Sequence, residues 1–120
     1  MTPLPDDALV VRGGQNLPEN FVNASGVTVD SGGKVQGVSV NAAAGCSVKD
    51  LTAPSSQSGY PGIPHNQVGV TTVGKVRALG GEIIPSPSKR NPNHATLSGL
   101  TPEQASRLVR PTIKNPNRTR

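Results

Sequence analysis

The run Asn-Pro-Asn-His-Ala-Thr-Leu-Ser-Gly at residues 91–99 has the residue types best suited to chemistry in this chain. Its Asn and Pro residues form turns, and the alternating segment that follows them is typical of a short strand. Because successive side chains of a strand point to opposite faces, we expect His94, Thr96 and Ser98 to share one face. An imidazole beside two hydroxyls can bind a phosphate and transfer a proton.

Phosphate chemistry also needs positive charge, and Lys89 and Arg90 lie shortly before this strand. Cleavage of RNA without a metal ion requires a base for the 2′-hydroxyl, an acid for the leaving oxygen and cations for the phosphate. Free imidazole titrates near neutral pH, so His94 can fill one proton-transfer role, while Thr96 and Ser98 can hydrogen-bond phosphate oxygens. The alternative is that His94 is a strand-edge histidine hydrogen-bonded to a neighbouring loop.

Arg12 is the second candidate site residue. It ends an otherwise apolar strand and precedes Gly13-Gly14, where a ligand or another backbone can approach closely. A guanidinium at this position can anchor an anion through two parallel hydrogen bonds. The structural alternative is that Arg12 pairs with an early carboxylate such as Glu19.

The remaining candidates carry weaker signals. His65, in a loop, is a candidate second proton-transfer group, although loop histidines are more often bystanders. Gly-Val-Ser-Val at 37–40 lacks the closing glycine of a nucleophile elbow, so Ser39 is not expected to be a hydrolase nucleophile. Neither a metal nor a cofactor is expected, because no metal-ligand spacing and no phosphate loop or dinucleotide fingerprint is present. Cys46 is the only cysteine, which excludes an intramolecular disulfide.

Positive charge is concentrated in the second part of the chain. The net charge is +5, yet acidic residues outnumber basic ones in residues 1–73. Acidic residues in 74–120 are only Glu82 and Glu103, against the basic residues Lys75, Arg77, Lys89, Arg90, Arg107, Arg110, Lys114, Arg118 and Arg120. Such a basic half is typical of domains that bind nucleic acid or an acidic protein. The scarcity of aromatic residues disfavours a single-strand stacking platform.

The 120 residues predict one domain, with a core of Val, Ile, Leu and Ala because aromatic residues are nearly absent. We expect a flexible tail at 1–7, a domain at 8–112 and a basic flexible tail at 113–120. Neither a signal-peptide pattern nor an apolar run of membrane-spanning length is found. The expected location is therefore the cytoplasm, of the producing cell or of a target cell that receives the protein, without a membrane partner.

Strand-forming runs alternate with two capped helices along the chain. We expect a helix at 72–79 and another from Thr101 to about Val109, with a single helical turn after Ser47. The expected strands, with a bulge at Gly37, lie at 8–12, 27–29, 34–40, 68–73, 82–84 and 94–98. The fold class is α+β: a small, twisted, mainly antiparallel sheet with two short helices.

With these residues in view, the chain resembles the small bacterial toxin nucleases grouped around barnase, EndoU, colicins and RelE. The resemblance lies in size, basic charge, element pattern and the His-Ala-Thr-Leu-Ser strand at 94–98 with Lys89 and Arg90 before it. It implies a metal-independent ribonuclease toxin that cleaves tRNA or mRNA and is inhibited by an acidic immunity or antitoxin protein. In that reading His94 is the general acid or base, assisted by Thr96 and Ser98.

Two other segments resemble ADP-ribosyltransferase toxins. Val-Val-Arg-Gly at 10–13 is similar to their first-strand arginine segment, and Gly-Val-Ser-Val at 37–40 to their strand serine. This resemblance implies that Arg12 and Ser39 bind nicotinamide adenine dinucleotide, with Glu82 or Glu103 as the catalytic glutamate. A third interpretation is a non-catalytic module whose basic half binds nucleic acid or an acidic protein.

Overall fold

Strands and short helices alternate along the chain, with helices where capping residues precede them. The protein is described by a computed structural model over residues 3–118. The strands in that range are β1 (Leu9–Gly13), β2 (Thr28–Val29), β3 (Val35–Gln36), β4 (Val38–Ala43), β5 (Gln67–Thr72), β6 (Glu82–Pro85), β7 (His94–Ser98) and β8 (Ile113–Lys114). The helices are α1 (Pro18–Val22), α2 (Val48–Thr52), α3 (Val73–Ala78) and α4 (Pro102–Leu108).

A six-stranded sheet in the order β6-β7-β4-β1-β5-β8 forms the centre of the molecule. Every neighbouring pair in it is antiparallel, and β2 and β3 form a separate two-stranded sheet. The predicted α+β class with a mainly antiparallel sheet is confirmed. Within residues 3–118, no helix has the length and apolar character needed to cross a membrane.

One face of the large sheet carries the main apolar core. Alternate residues of β4 and β7 point to this face, and helices α1, α3 and α4 supply the side chains that cover it. As expected, aliphatic residues dominate, joined by the aromatic ring of Phe21. The buried members are Ala8, Val10, Phe21, Val35, Val38, Val40, Ala42, Val73, Val76, Ile83, Ala95, Leu97, Leu100, Ala105 and Val109.

The opposite face of the sheet is covered only in part. Helix α2 contacts β1 and β4, and a smaller apolar cluster of Val11, Leu51, Ile63 and Val68 is buried there. Beyond this cluster the same face carries polar residues of β4 and β7, among them an exposed Ser39. This incomplete cover leaves a cleft on the sheet.

The helix starts follow the predicted caps with one exception. The side-chain oxygens of Ser47, Thr72 and Thr101 each accept a hydrogen bond from the backbone N–H three residues later. Helices α3 and α4, and the turn that becomes α2, lie where they were predicted. Helix α1 lies in a segment for which the sequence predicted a loop. The helix was missed because its N-cap residue is Leu17, which is not a capping residue, and the capping hydrogen bond comes from a side chain inside the helix. There the Asn20 side-chain oxygen accepts from the Leu17 N–H at 2.9 Å.

The expected bulge at Gly37 is instead a break between two strands. Val35 belongs to the small sheet and Val38 starts β4 of the large sheet. Gly37 has a φ of 80°, a left-handed conformation that glycine adopts without a steric penalty. The break changes the side-chain parity, which allows both Val35 and Val38 to be fully buried.

Packed residues extend beyond the expected domain limits at residues 8 and 112. Leu4 packs against the main core, and Asp6 forms an ion pair with Arg77 at 2.7 Å. At the other end, β8 pairs with β5 and Asn115 has no exposed surface. The parts of the expected tails at 1–2 and 119–120 lie outside the described residues.

Replacement of Asn115 by alanine tests whether this C-terminal segment belongs to the fold. The Asn115 side-chain N–H groups donate to the carbonyl oxygens of Ile63 at 3.0 Å and His65 at 2.9 Å. Asn115→Ala leaves these carbonyls unpaired, and we expect the free energy of unfolding in urea to fall by about 1–3 kcal/mol. Arg118→Ala, which removes an exposed side chain, is the control and should change it by less than about 0.5 kcal/mol. Equal stabilities of the two variants would contradict the packed segment.

Candidate functional site

The candidate site is built on the sheet face that carries the smaller cluster. In the strand register, Val11 of β1 lies opposite Asn41 of β4, and Asn41 lies opposite His94 of β7. Ser39 lies two residues from Asn41 on the same face, opposite Thr96. The sheet therefore brings residues far apart in the sequence into two adjacent rows on one surface.

A cleft of about 340 Å³ lies over these rows. It collects both histidines of the chain and the arginine of β1 in one place, which the sequence alone did not establish. The polar residues that line it include Arg12, Ser39, Asn41, Tyr60, His65 and His94. The two imidazoles can exchange protons with an anionic ligand in this cleft. Arg12 lines its edge at the end of β1, but its guanidinium is directed to the other face of the sheet, over Phe21 of the main core.

His94 is oriented by hydrogen bonds at both ring nitrogens. Its Nδ1 lies 3.1 Å from the Ser86 carbonyl oxygen and 2.8 Å from the Ser86 hydroxyl. Because a carbonyl oxygen only accepts, the contact with the Ser86 carbonyl is a hydrogen bond in the tautomer that carries its proton on Nδ1. The Nε2 then has a free lone pair and lies 3.2 Å from the Ser39 hydroxyl, which donates to it. This tautomer presents Nε2 as a base.

His65 lies over the end of β1, where glycine leaves room for its ring. A Cβ atom at Gly13 would lie 2.3 Å from the His65 Nδ1 and 2.6 Å from Ile63, far inside contact distance. The backbone of the same loop is held from the other side by Asn115, which donates to the carbonyls of Ile63 and His65. The His65 ring thus lies against Gly13, while a buried amide holds the backbone of its loop.

Arg12 is held by neutral groups rather than by a carboxylate. Its guanidinium donates to the Asn16 side chain at 2.7 Å and to the Asn20 carbonyl at 3.3 Å, and it lies 4.6 Å from the centre of the Phe21 ring. Within residues 3–118 it forms no ion pair, so the expected pairing with Glu19 is not observed. Burial without a counter-charge lowers the pKa of Arg12 below its ordinary value.

Two buried asparagines support the wall of the cleft. The Asn91 side chain donates to the Asn41 oxygen at 2.8 Å. Asn41 in turn donates to the Leu51 carbonyl at 2.8 Å and to the Tyr60 hydroxyl oxygen at 3.0 Å. The Tyr60 oxygen is therefore an acceptor within this chain, and its own hydrogen remains available to a ligand in the cleft.

The two Asn-Pro-Asn segments, at 91–93 and 115–117, have the same local structure. In each, the first asparagine accepts through its side-chain oxygen from the backbone N–H two residues on, at 3.2 Å for Asn91 and 2.9 Å for Asn115. Its carbonyl also accepts from the N–H three residues on. Asn91 leads into His94, and Asn115 supports His65. Each histidine therefore depends on one copy of the same asparagine turn.

The other predicted site residues lie at the edge of the cleft or outside it. Thr96 shares the face with His94 but does not line the cleft, and the Ser98 hydroxyl accepts from the Gly37 N–H at 3.0 Å. Lys89 is exposed on the loop before β7, and Arg90 donates to the carbonyl of Gly59, next to Tyr60, at 3.3 Å. The structure thus places Arg90 on the rim, beside the Tyr60 loop, and Lys89 next to it in the sequence.

The carboxylates considered for ADP-ribosyl transfer lie elsewhere. Glu82 forms an ion pair with Arg77 at 2.9 Å on β6, and Glu103 lies in the first turn of α4. Neither lines the cleft that contains Arg12 and Ser39. Across residues 3–118, no three His, Cys, Asp or Glu side chains are grouped so that they could hold a metal ion.

Three residues that line the cleft were not predicted from the sequence, namely Tyr60, Asn41 and Asn91. Tyr60 follows a Ser- and Gly-rich loop, and an isolated Asn in a strand is usually an outward polar residue. The one signal that could have found Asn91 is the repetition of Asn-Pro-Asn, since the second copy lies beside the other histidine in space.

Gly13→Ala tests the placement of His65. The added methyl group has to displace both the His65 ring and Ile63. The His65 ring signals should therefore shift in a ¹H–¹³C NMR spectrum of this protein, which has only two histidines. The His94 signals should stay in place, because Ser86 and Ser39 hold that ring. Ser39→Ala is the matched change and should move only the His94 signals. An unchanged His65 signal in Gly13→Ala would contradict the described packing.

Comparisons with known proteins do not assign this chain to a family. No family model matches the sequence, and neither a curated protein nor a solved structure is matched by it. The functional interpretation therefore rests on the residues of the cleft themselves.

Proposed function

We propose that this protein is a ribonuclease of the small toxin type, which cleaves RNA by acid–base chemistry without a metal ion. One observation carries the proposal: His94 and His65 line the same cleft, and Arg12, which forms no ion pair within residues 3–118, lines its edge. These are the three kinds of group that metal-independent cleavage at a 2′-hydroxyl needs, namely a base, an acid and a cation.

His94 acts as the base. Its Nε2 accepts the proton of the ribose 2′-hydroxyl, while the bond between Nδ1 and the Ser86 carbonyl stabilises the ring as its charge develops. The 2′-oxygen forms a bond to phosphorus as the bond from phosphorus to the 5′-oxygen breaks. His65 donates a proton to the departing 5′-oxygen. The products are a 2′,3′-cyclic phosphate and a free 5′-hydroxyl.

The spacing of the strands suits this assignment. The His94 ring extends from β7, and the His65 ring lies over Gly13 of β1, with β4 between the two strands. Two strand spacings amount to about 10 Å between these backbones. The two histidines thus line the cleft from its β7 side and its β1 side, and displacement in line requires such a separation of base and acid.

Arg12 and Tyr60 provide the charge and hydrogen bonds that a phosphate requires. The Arg12 guanidinium is partly desolvated, and its Nε–H is buried without an acceptor among residues 3–118. A desolvated cation without a counter-charge gains more from an anion than an exposed one does. The free hydrogen of Tyr60 can donate to a phosphate in the cleft. The rim residues Lys89 and Arg90 add attraction at longer range.

The partners of the proposed enzyme follow from its charge. The substrate is a polyanion, tRNA or mRNA, and the basic half of the chain favours association with it. An acidic immunity or antitoxin protein that covers the cleft would protect the producing cell. The action belongs in a cytoplasm, where these RNAs are, either that of the producing cell or that of a target cell.

ADP-ribosyl transfer is the second candidate function. One observation favours it: Arg12 and Ser39, implicated separately by the sequence, line the same cleft. It ranks behind RNA cleavage because neither Glu82 nor Glu103 lines that cleft. Incubation with labelled nicotinamide adenine dinucleotide and a cell lysate distinguishes the two functions, since only a transferase labels a target.

His94→Ala and His65→Ala should each lower the rate of RNA cleavage by at least about 10²-fold, the usual contribution of a general acid or base. The measurement is cleavage of a fluorescent RNA oligonucleotide in the presence of a chelator, with unfolding curves to show that each variant is folded. Lys34→Ala, an exposed change in the β2–β3 turn, is the control and should retain the wild-type rate.

The pH dependence gives a second readout of the same variants. A base and an acid that must be in opposite protonation states give a bell-shaped profile, and each alanine variant should lose one limb of it. An oligonucleotide with 2′-deoxyribose at the cleavage position should not be cleaved. A fully active His94→Ala variant, or cleavage of the deoxy substrate, would refute the proposed chemistry.

A further inference from the structure

A second, larger cavity adjoins the cleft at the end of β1. It has a volume of about 660 Å³ and shares Arg12, Gly13, Pro64 and His65 with the cleft. The rest of its lining is rich in side-chain amides, contributed by Gln15, Asn16, Asn20, Asn23, Asn66 and Gln67. This composition differs from that of the cleft, whose reactive groups are imidazoles and hydroxyls.

Several of these amides have no partner in the described part of the chain. Asn16 is fully buried; its side-chain oxygen accepts from the Arg12 guanidinium, and its NH2 group donates to the carbonyls of Arg12 and Gly14. By contrast, Gln15, Asn23 and Asn66 are exposed, and within residues 3–118 their side chains make no hydrogen bond. Among residues 3–118, no carboxylate lines the cavity. It therefore offers adjacent donors and acceptors without negative charge.

A third cavity extends the surface depression further. It has a volume of about 340 Å³ and shares Gln15 and Gln67 with the amide-lined cavity. Arg110 lines it, is exposed, and forms no ion pair within residues 3–118. The three cavities thus run in a row from His94, past His65, to Arg110.

We propose that this row is a groove for single-stranded RNA, in which the amide-lined cavity holds an unpaired nucleobase and Arg110 binds the next phosphate. The inference rests on the proposed function. An amide presents a donor beside an acceptor, which matches the hydrogen-bonding edge of a base. That edge is accessible to a protein only in unpaired RNA. A guanidinium without a counter-charge suits a phosphate.

The order of the cavities also fixes the direction of the strand. His65, the proposed acid for the leaving 5′-oxygen, belongs to both the cleft and the amide-lined cavity. The nucleotide in that cavity is therefore the one on the 3′ side of the scissile phosphate. The chain continues from it towards Arg110, so the phosphate bound there is one nucleotide further in the 3′ direction.

Short substrates test each part of this groove. In four dinucleotides that differ only in the second base, the wild-type kcat/KM should vary by about tenfold or more between the best and the worst base, as expected for hydrogen-bonded base reading. The variants Asn23→Ala and Asn66→Ala should reduce this difference. Variation of the first base should have a smaller effect than variation of the second.

Arg110→Ala should lower kcat/KM only for substrates long enough to reach the third cavity. For a dinucleotide, kcat/KM should equal that of the wild type. For a trinucleotide, whose second phosphate reaches the third cavity, it should fall about tenfold, the effect of one lost hydrogen bond to a charged group. Arg107→Ala removes an exposed arginine of α4 that lines none of the three cavities, and it should leave both substrates unaffected.

The outcomes separate this inference from the proposed function. If the wild type cleaves none of these RNAs, the proposed function fails, and the groove fails with it. If it cleaves them without regard to the second base, or if Arg110→Ala affects dinucleotide and trinucleotide equally, only the groove is refuted. Cleavage of an RNA duplex as fast as of the matching single strand would also refute it.

Discussion

Four buried asparagines hold the loops of this protein on its sheet. Asn16, Asn41, Asn91 and Asn115 are each at most 9% exposed, and each bonds to backbone or side-chain groups of a different segment. A chain with one Phe, one Tyr and no Trp has few large apolar side chains with which to pack its loops. Buried backbone groups in loops must nevertheless be paired, and the amides provide that pairing. The shape of the cleft therefore depends on these bonds as well as on the apolar cluster of Val11, Leu51, Ile63 and Val68.

How much of the fold could be predicted depends on whether an element is determined by a local sequence pattern or by contacts with distant segments. The strand at 94–98 and the helix after Thr101 depend on local patterns, alternation and a capping box, and both were correctly located. Helix α1 was missed because its cap is Asn20 inside the helix rather than a capping residue before it. Strand β8 was missed because pairing with β5 stabilises it, and a two-residue strand carries no pattern of its own.

The candidate site was predictable in its parts but not as an assembly. His94, Arg12 and His65 each stood out by residue type, and the alternation gave the face of His94 correctly. Their convergence depends on contacts between distant segments, such as the ring of His65 over Gly13. No local pattern encodes such a contact. The roles of Tyr60 and Asn41 are of the same kind, since a single hydrogen bond joins them across the sheet face.

The support of His65 by Asn115 has a consequence for the order in which the site is completed. During synthesis, every other residue named in the cleft leaves the ribosome before Asn115 does. Until that amide docks, the carbonyls of Ile63 and His65 lack their partner and the loop that carries the imidazole is not fixed. The position of the second histidine of the cleft therefore depends on a segment about 50 residues further along the chain, whereas His94 is held by residues of its own strand neighbourhood.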